Sequence, residues 1–368
     1  MREGWEYKKI GNICNITTGK LDANAANEDG LYPFFTCSRI PLSINTYAYD
    51  CECILIAGNG DLNVKYYNGK FNAYQRTYIL QLKNDVNGVE MRYIFAFFNL
   101  YIEELRRKSI GGIIKYIKLG DLTNALLPLP NITTQLTIVS ELDKINELIR
   151  LKKEQLKDYD NLAQSIFYEM FGDPVENEKG WEVKKLGEVC TVGTGSTPNR
   201  KNKDYYEHGE YPWVKSTEVC NLPIFTVEEF ITEEAIQNTN CNLYPKDSIL
   251  MAMYGQGRTR GQVGLLKIEA CTNQAIAAIV PSKEMDSVFL YKHLMLMYEH
   301  IRDMARGGNQ ANLNLTIVKS IQIILPPLPL QHLFAQRIEQ IERQKSAVQK
   351  SITDLETLLA SRMQYWFE

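Results

Sequence analysis

The sequence predicts an α+β chain. Two α/β domains are separated by two long helices, which form an intramolecular antiparallel coiled coil, and the whole carries a pseudo-twofold internal repeat. Three observations predict it. "GWEYKKIGNICNITTGK" at 4–20 returns as "GWEVKKLGEVCTVGTGS" at 180–196, an offset of 176 with nine of seventeen positions identical. "LLPLP" (126–130) returns as "ILPPLP" (324–329), each leading into a long helical pattern. Apolar residues then step by three and four along both of those patterns, which is the signature of a coiled-coil seam.

Taken in order, residues 1–130 form the first α/β domain. "ECILIAG" and "RTYILQL" are short β-branched or apolar runs bounded by Gly and Asn and read as strands, while "EMRYIFAFFNLYIEELRR" (90–107) reads as one helix. Residues 131–172 form the central helix. Its seam runs through Leu142, Ile145, Ile149, Leu156, Tyr159 and Ile166. Residues 173–329 form the second domain, with strands in "DSILMAM", "QVGLLKI" and "AIAAIVP" and one helix over "SVFLYKHLMLMYEHIRDM" (287–304). Residues 330–368 form the C-terminal helix, whose seam is Ile338, Ile341, Val348, Ile352, Leu355 and Leu359. Two amphipathic helices, each covering its own domain, would be the plainer reading. Two stripes of equal length in one chain suit each other as partners, and about 28 residues of seam make a rod of roughly 40 Å. Two readers at the ends of a fixed spacer form a ruler.

Composition narrows the chemistry. The chain has 368 residues, 45% hydrophobic and 23% charged, which is ordinary for globular domains. No apolar run approaches the roughly eighteen residues of a membrane span, and the MREGWEYKK start is too polar for a secretory signal peptide to be expected. The simplest compartment is a reducing cytoplasm. Eight cysteines contain no CxxC pair and four histidines do not cluster with them, so no metal site is expected. Cys51 and Cys53 are read as core thiols. There is no Walker A sequence, and His208, His293, His300 and His332 have no companion nucleophile at a recognisable spacing. Binding without catalysis is the expectation.

A net charge of −3 does not favour a nucleic-acid binder, but it conceals local basic stretches. Arg106, Arg107, Lys108, Lys115 and Lys118 have no acid among them. Asn, Gln and Arg in loops supply the bidentate geometry that identifies adenine and guanine edges. They recur in "GNGDLNVKYYNGK" (58–70), "AYQR" (73–76) and "KSIGGIIKYIK" (108–118), and again in "GQGRTRGQ" (255–262), "TNQ" (272–274) and "GGNQANLN" (307–314). Any one of these is also a plain hairpin turn; their recurrence in both copies is what favours contact.

With these motifs, in this order and duplicated, the chain resembles the specificity (S) subunit of a type I restriction–modification system. The likeness runs through the "GWE.KKLG..C....G" openings, "YPWVKSTEV", "TNQA", "GGNQANLN", the "PPLP" stretch followed by Gln331, and "LAQSIFYEMFGDP" echoed by "LLASRMQYWFE". The resemblance implies two target-recognition domains, each reading one half of a split double-stranded DNA site, and helices that fix the unread gap. It implies a non-catalytic subunit holding two methylation (M) subunits, which methylate adenine with S-adenosylmethionine. Added restriction (R) subunits would use ATP and Mg²⁺ to translocate and cleave DNA, so those cofactors belong to the partners. A stand-alone protein scaffold and a solitary DNA-binding regulator are the alternatives.

Under that resemblance Lys20, Asn59, Asn63, Lys65, Gln75, Arg76, Lys115 and Lys118 are candidate DNA contacts in the first domain. In the second they are Ser196, Thr197, Lys215, Ser216, Gln256, Arg258, Arg260, Asn273, Gln274, Asn309, Gln310 and Asn312. The first domain lacks the "GSTP" stretch (195–198) and is about 20 residues shorter. The two halves are therefore expected to read different sequences.

Overall fold

A computed structural model describes residues 4–111, 114–255, 257–305 and 312–367. The chain divides into two compact units: Met1–Glu154 with Val348–Glu368, and Gln155–Ala347. Each long helix thus contributes residues to both.

In the first unit, β1 (Glu6–Lys9), α1 (Ile10–Ile13) and β2 (Cys14–Thr18) open the chain. β3 (Tyr32–Phe35), β4 (Leu42–Ile44), β5 (Tyr49–Ala57), β6 (Val64–Ala73) and β7 (Thr77–Leu82) come next. The main sheet has the order β2-β7-β5-β6-β3-β4 and is antiparallel except between β3 and β6. Cys53 to Ala57 in β5 are all buried, so this apolar run is the sheet's centre. α2 (Met91–Lys108) covers one face through Tyr93, Ile94, Phe97 and Phe98. After α3 (Leu119–Thr123), β8 (Leu126–Leu129) pairs antiparallel with β1, Glu6 facing Leu129.

The central helix, α4, is Ile132–Phe171. Asn131 caps it by accepting the Thr134 N–H at 2.9 Å, and Gly172 ends it at φ +77°, a conformation that glycine adopts without steric cost. The second unit repeats the plan. β9 (Val183–Lys185), α5 (Leu186–Val189) and β10 (Thr191–Thr194) match the opening elements. They lead to β11 (Tyr211–Val214), β12 (Glu229–Ile231), α6 (Glu233–Asn238) and β13 (Ile249–Ala252). β14 (Val263–Leu265), β15 (Cys271–Thr272) and β16 (Ile276–Val280) complete two sheets, β10-β16-β13-β14 and β12-β11-β15. Where the first unit has one ten-residue strand, β6, the second has β14 and β15, the latter parallel to β11.

The single helix expected over 287–304 is instead two, α7 (Ser287–Leu296) and α8 (Tyr298–Met304), broken at Met297. The break turns Tyr298 and Arg302 onto the loop after β13, where both make hydrogen bonds to backbone carbonyls. α9 (Leu315–Ser320), β17 (Gln322–Ile324) and α10 (Leu328–Phe367) close the chain, and β17 pairs antiparallel with β9.

Inside the first unit the two long helices run antiparallel. Glu141 accepts from Arg362 Nη2 at 3.1 Å and from Trp366 Nε1 at 3.0 Å, while Lys153 meets Glu356 at 2.9 Å. Leu142, Ile145, Ile149, Val348 and Ile352 are buried there, and Leu355 and Leu359 are half-buried. Inside the second unit the direction is the same. Asp160 takes Lys345 at 2.6 Å, and Phe167 meets Phe334 at 5.5 Å between ring centroids. Ile338 and Ile341 are buried, whereas Leu156, Tyr159 and Ile166 are half-buried. The fully buried face of this part of α4 is Ala163, Phe167 and Phe171. Each buried phenylalanine contributes roughly 1.5–3 kcal/mol, so Phe167 and Phe171, packed on Phe289 and Phe334, anchor the seam at this end.

Each of the repeated proline stretches leads into a buried glutamine. Gln135, fully buried, donates to Gly88 O at 3.0 Å and Pro130 O at 2.8 Å and accepts from the Glu90 N–H at 3.0 Å. Gln331, 196 residues later, is equally buried. It donates to Glu284 O at 3.3 Å and Pro326 O at 2.8 Å and accepts from the Asp286 N–H at 2.9 Å. A buried amide satisfied on all three sides fixes where each long helix leaves its domain.

Candidate nucleic-acid interface

In the first unit the end of β2 runs against the β6–β7 turn. Gly19 donates to Thr77 O at 3.1 Å. A Cβ on Gly19 would lie 2.2 Å from Ala73 O, so the approach requires glycine. Leu21 O accepts the Gln75 N–H at 2.8 Å. Gly58, just past β5, donates to Arg76 O at 2.8 Å and accepts from the Ile117 N–H at 3.0 Å, while Gly60 donates to Lys115 O at 3.0 Å. Backbone hydrogen bonds therefore tie four segments of the sequence together around a cleft of about 280 Å³. Thr18, Gly58, Gln75, Arg76, Tyr78 and Tyr116 are among its lining residues, and among the described residues no acid lines it.

Lys20, Gln75, Arg76, Lys115 and Lys118 are exposed around this cleft's segments, and Asn59 is half-buried. Asn63 is turned inward. Its amide donates to Cys37 O at 2.9 Å and Asp61 O at 2.7 Å, so it braces the loop from within. Lys65, also drawn toward Asn63, is half-buried, and burial pulls its ammonium below the usual lysine value.

The second unit builds the same junction. A Cβ on Gly195, the repeat partner of Gly19, would lie 1.8 Å from Thr272 O. Met253, just past β13, donates to Ala275 O at 2.8 Å and accepts from the Leu313 N–H at 3.1 Å. Asn273 donates to Val214 O at 3.1 Å, and Thr197 Oγ1 donates to Gln274 Oε1. Ser196 O accepts from Trp213 Nε1 at 3.1 Å, which holds the start of "STP" on the sheet. Thr197, Arg258, Gln274 and Asn312 are exposed, whereas Ser196, Ser216, Arg260 and Asn273 are half-buried. Lys215 is paired with Glu228 at 2.7 Å and Glu229 at 3.0 Å, which hold its ammonium above the usual value. Gln256, Asn309 and Gln310 lie outside the described residues.

Sequence reasoning missed Tyr116 in the cleft wall, although its place between Lys115 and Lys118 was a signal. It also missed Arg200, whose guanidinium lies 4.8 Å from the Trp213 ring and 4.7 Å from that of Tyr206. Exposed cations and amides, with the exposed Tyr116 ring, on backbone-laced loops suit contacts with phosphates and base edges.

Several cysteines and one histidine are withdrawn into the cores. Cys14 and Cys271 have their thiols pushed up to about 12 by burial, and Cys190 to about 11, so none is a ready nucleophile. Cys53 is fully buried beside Cys51. His293 is fully buried, accepts the Ile324 N–H at Nε2, and is pushed down to about 3 by burial. Among the described residues no group of three or more His, Cys, Asp or Glu could hold a metal ion. No helix among them is long and apolar enough to cross a membrane.

The family description "Type I restriction modification DNA specificity domain" matches residues 2–158 and again 178–357. The EcoDI type I restriction enzyme specificity subunit of Escherichia coli is 24% identical over 378 residues, covering 95% of this chain and 84% of that protein. The MjaVIII specificity subunit of Methanocaldococcus jannaschii is 22% identical over 401 residues, covering 97% and 92%. The crystal structure of the type I restriction-modification S subunit from M. genitalium superposes with a TM-score of 0.62 at 16% identity, covering 99% and 96% of the two chains.

Proposed function

The chain belongs to the family of type I restriction modification DNA specificity domains, and on that footing we propose that it is the DNA-recognition subunit of a type I restriction–modification complex. The recognition domains are residues 1–130 and 173–329, and the helices 131–172 and 330–368 fix the unread gap between two half-sites. The observation that carries this reading is the doubled junction. In each unit the residue after the central strand, Gly58 or Met253, is tied to a turn and to a distant loop by equivalent backbone hydrogen bonds. Those turns and loops bear exposed Gln75, Arg76, Lys115, Gln274 and Asn312.

Gln75, Arg76, Asn59, Thr197, Arg258, Gln274 and Asn312 read base edges, and Lys20, Lys115 and Lys118 track phosphates. Gln256, Asn309 and Gln310 join the readers of the second domain. The chain itself is not catalytic. Two methylation subunits carry S-adenosylmethionine and methylate adenine, and restriction subunits carry ATP and Mg²⁺, in the cytoplasm. Sequencing host DNA for adenine methylation with and without this gene tests the proposal. A bipartite methylated motif should appear with the gene and vanish without it, and the chain should co-purify with a methylation subunit. A chain that purifies alone and leaves methylation unaltered refutes it.

A further inference from the structure

We propose that Arg106 and Arg302 are positioning residues that hold the two recognition loops, 58–63 and 257–261, in the conformation that reads DNA. The inference rests on the DNA-recognition reading above and adds to it the parts that set specificity from behind.

The two arginines are 196 residues apart, the same offset that relates Gln135 to Gln331 and Ile117 to Leu313. Each sits in the last turns of a helix that packs on its sheet, α2 or α8. Each turns its guanidinium back onto the loop just past the central strand. Arg106 Nη2 donates to Leu62 O at 2.8 Å and lies 3.8 Å from the Asp61 carboxylate, which Arg39 also grips at 2.6 and 3.2 Å. Arg302 Nη1 donates to Gly257 O at 2.8 Å, and its neighbour Tyr298 donates its hydroxyl proton to Arg258 O. Gly261, at φ +87°, leaves its Cβ position 3.2 Å from Arg302 Cγ, so the arginine stem also walls the loop.

Backbone hydrogen bonds hold Gly58, Gly60 and Gly261, while the carbonyls of Leu62, Gly257 and Arg258 take their partners from these side chains. A planar guanidinium supplies several donors in a fixed fork, which a lysine ammonium does not. On the loops the braces take main-chain carbonyls, together with the Asp61 carboxylate in the first unit. A brace of this kind serves "GNGDLN" and "GQGRTRG" alike and leaves the side chains of Asn59, Arg258 and Arg260 free to differ. Recognition side chains must be held within about 0.5 Å of their productive places, so loosening the loop blurs the half-site it reads.

The test replaces the chromosomal gene with R106A, R302A, R302K or Y298F and reads adenine methylation across the host genome. R302A should relax the half-site read by the second unit, raising methylation at mismatched half-sites by about tenfold at one or more positions. The other half-site and the gap should stay as in wild type. R106A should do the converse. R302K, which keeps the charge and N–H donors but not the planar fork, should restore the selectivity only in part, and Y298F should relax the same half-site as R302A to a smaller degree.

An unchanged motif with uniformly weaker methylation would make the arginines phosphate contacts and overturn the proposal. So would simultaneous change in both half-sites. If R302A does not accumulate as folded protein, Y298F decides: a relaxed second half-site sustains the brace, and an intact motif removes it. Absence of any bipartite motif in wild type defeats the DNA-recognition reading itself and the brace with it, whereas an unaltered motif in the variants defeats the brace alone.

Discussion

Trp5 and Trp366 stack with ring centroids 6.4 Å apart and planes within 7°. Trp181, the repeat partner of Trp5, instead donates Nε1–H to Phe171 O at 2.9 Å and packs on the Phe171 ring. One opening motif therefore docks on the end of α10 and the other on the end of α4. A duplicated sequence is used twice as the junction between a long helix and an α/β domain. Arg362 holds the Glu141 carboxyl below its usual value, and Trp366 Nε1 adds to that, so the junction in the first unit is polar as well as aromatic. Replacing Trp5 by Ala should destabilise the first unit by about 2 kcal/mol, the loss of a partly buried stacked ring. Urea unfolding measures it; a change within experimental error would show that the stack does not hold the junction.

Gly19 and Gly195 are predicted to be intolerant of any side chain. A Cβ would meet Ala73 O at 2.2 Å or Thr272 O at 1.8 Å, closer than real atoms pack, so strands must separate at the candidate interface. Gly19→Ala and Gly195→Ala should each cost about 3 kcal/mol and weaken DNA binding. Gly120→Ala, where the nearest atom is 3.9 Å away, should be close to neutral. Equal midpoints for all three variants would contradict the packing described.

His293 gives the second unit a pH dependence of definite sign. Its folded value, pushed down to about 3 by burial, lies below the unfolded value near 6.5. The unfolded chain therefore binds more protons between these limits. The stability is fully present above pH 6.5 and falls as pH drops toward 3, by roughly 2 kcal/mol from pH 7 to pH 5. His293→Gln keeps an acceptor for the Ile324 N–H and should flatten this slope. Parallel stability-versus-pH curves for the two proteins would count against a buried neutral imidazole.

Lengthening α4 and α10 together by seven residues, one heptad each, preserves the phase of the seam. The methylated motif should keep both half-sites and change only the unread gap. Altered half-sites would remove the helices' role as a spacer.

The repeat and the long helices were legible because periodicity and self-similarity are local signals. α4 and α10 each span 40 residues, as the steps of three and four predict. The break at Met297 was not legible: no Gly or Pro marks it, and what accompanies it is the grip of Tyr298 and Arg302 on a loop some 40 residues earlier. The candidate site was legible as a set of residue types in loops. Which of them face outward was not, because Asn63 is turned inward by Cys37 O and Asp61 O, partners that spacing does not reveal. Likewise the buried face of α4 moves from Ile166 to Phe167 because Phe289 and Phe334 wait there.

The central claim is that the two repeats are equivalent frames carrying different readers. The frames meet at matched places: the Ile10 N–H donates to Ala125 O at 2.9 Å, and the Leu186 N–H to Ile321 O at 2.8 Å. The most direct measurement replaces residues 190–321 by residues 14–125 and selects duplexes from a randomised pool with the chain bound to its methylation subunits. Both half-sites should become the one that the first repeat reads in wild type. Recovery of the original second half-site would contradict the claim.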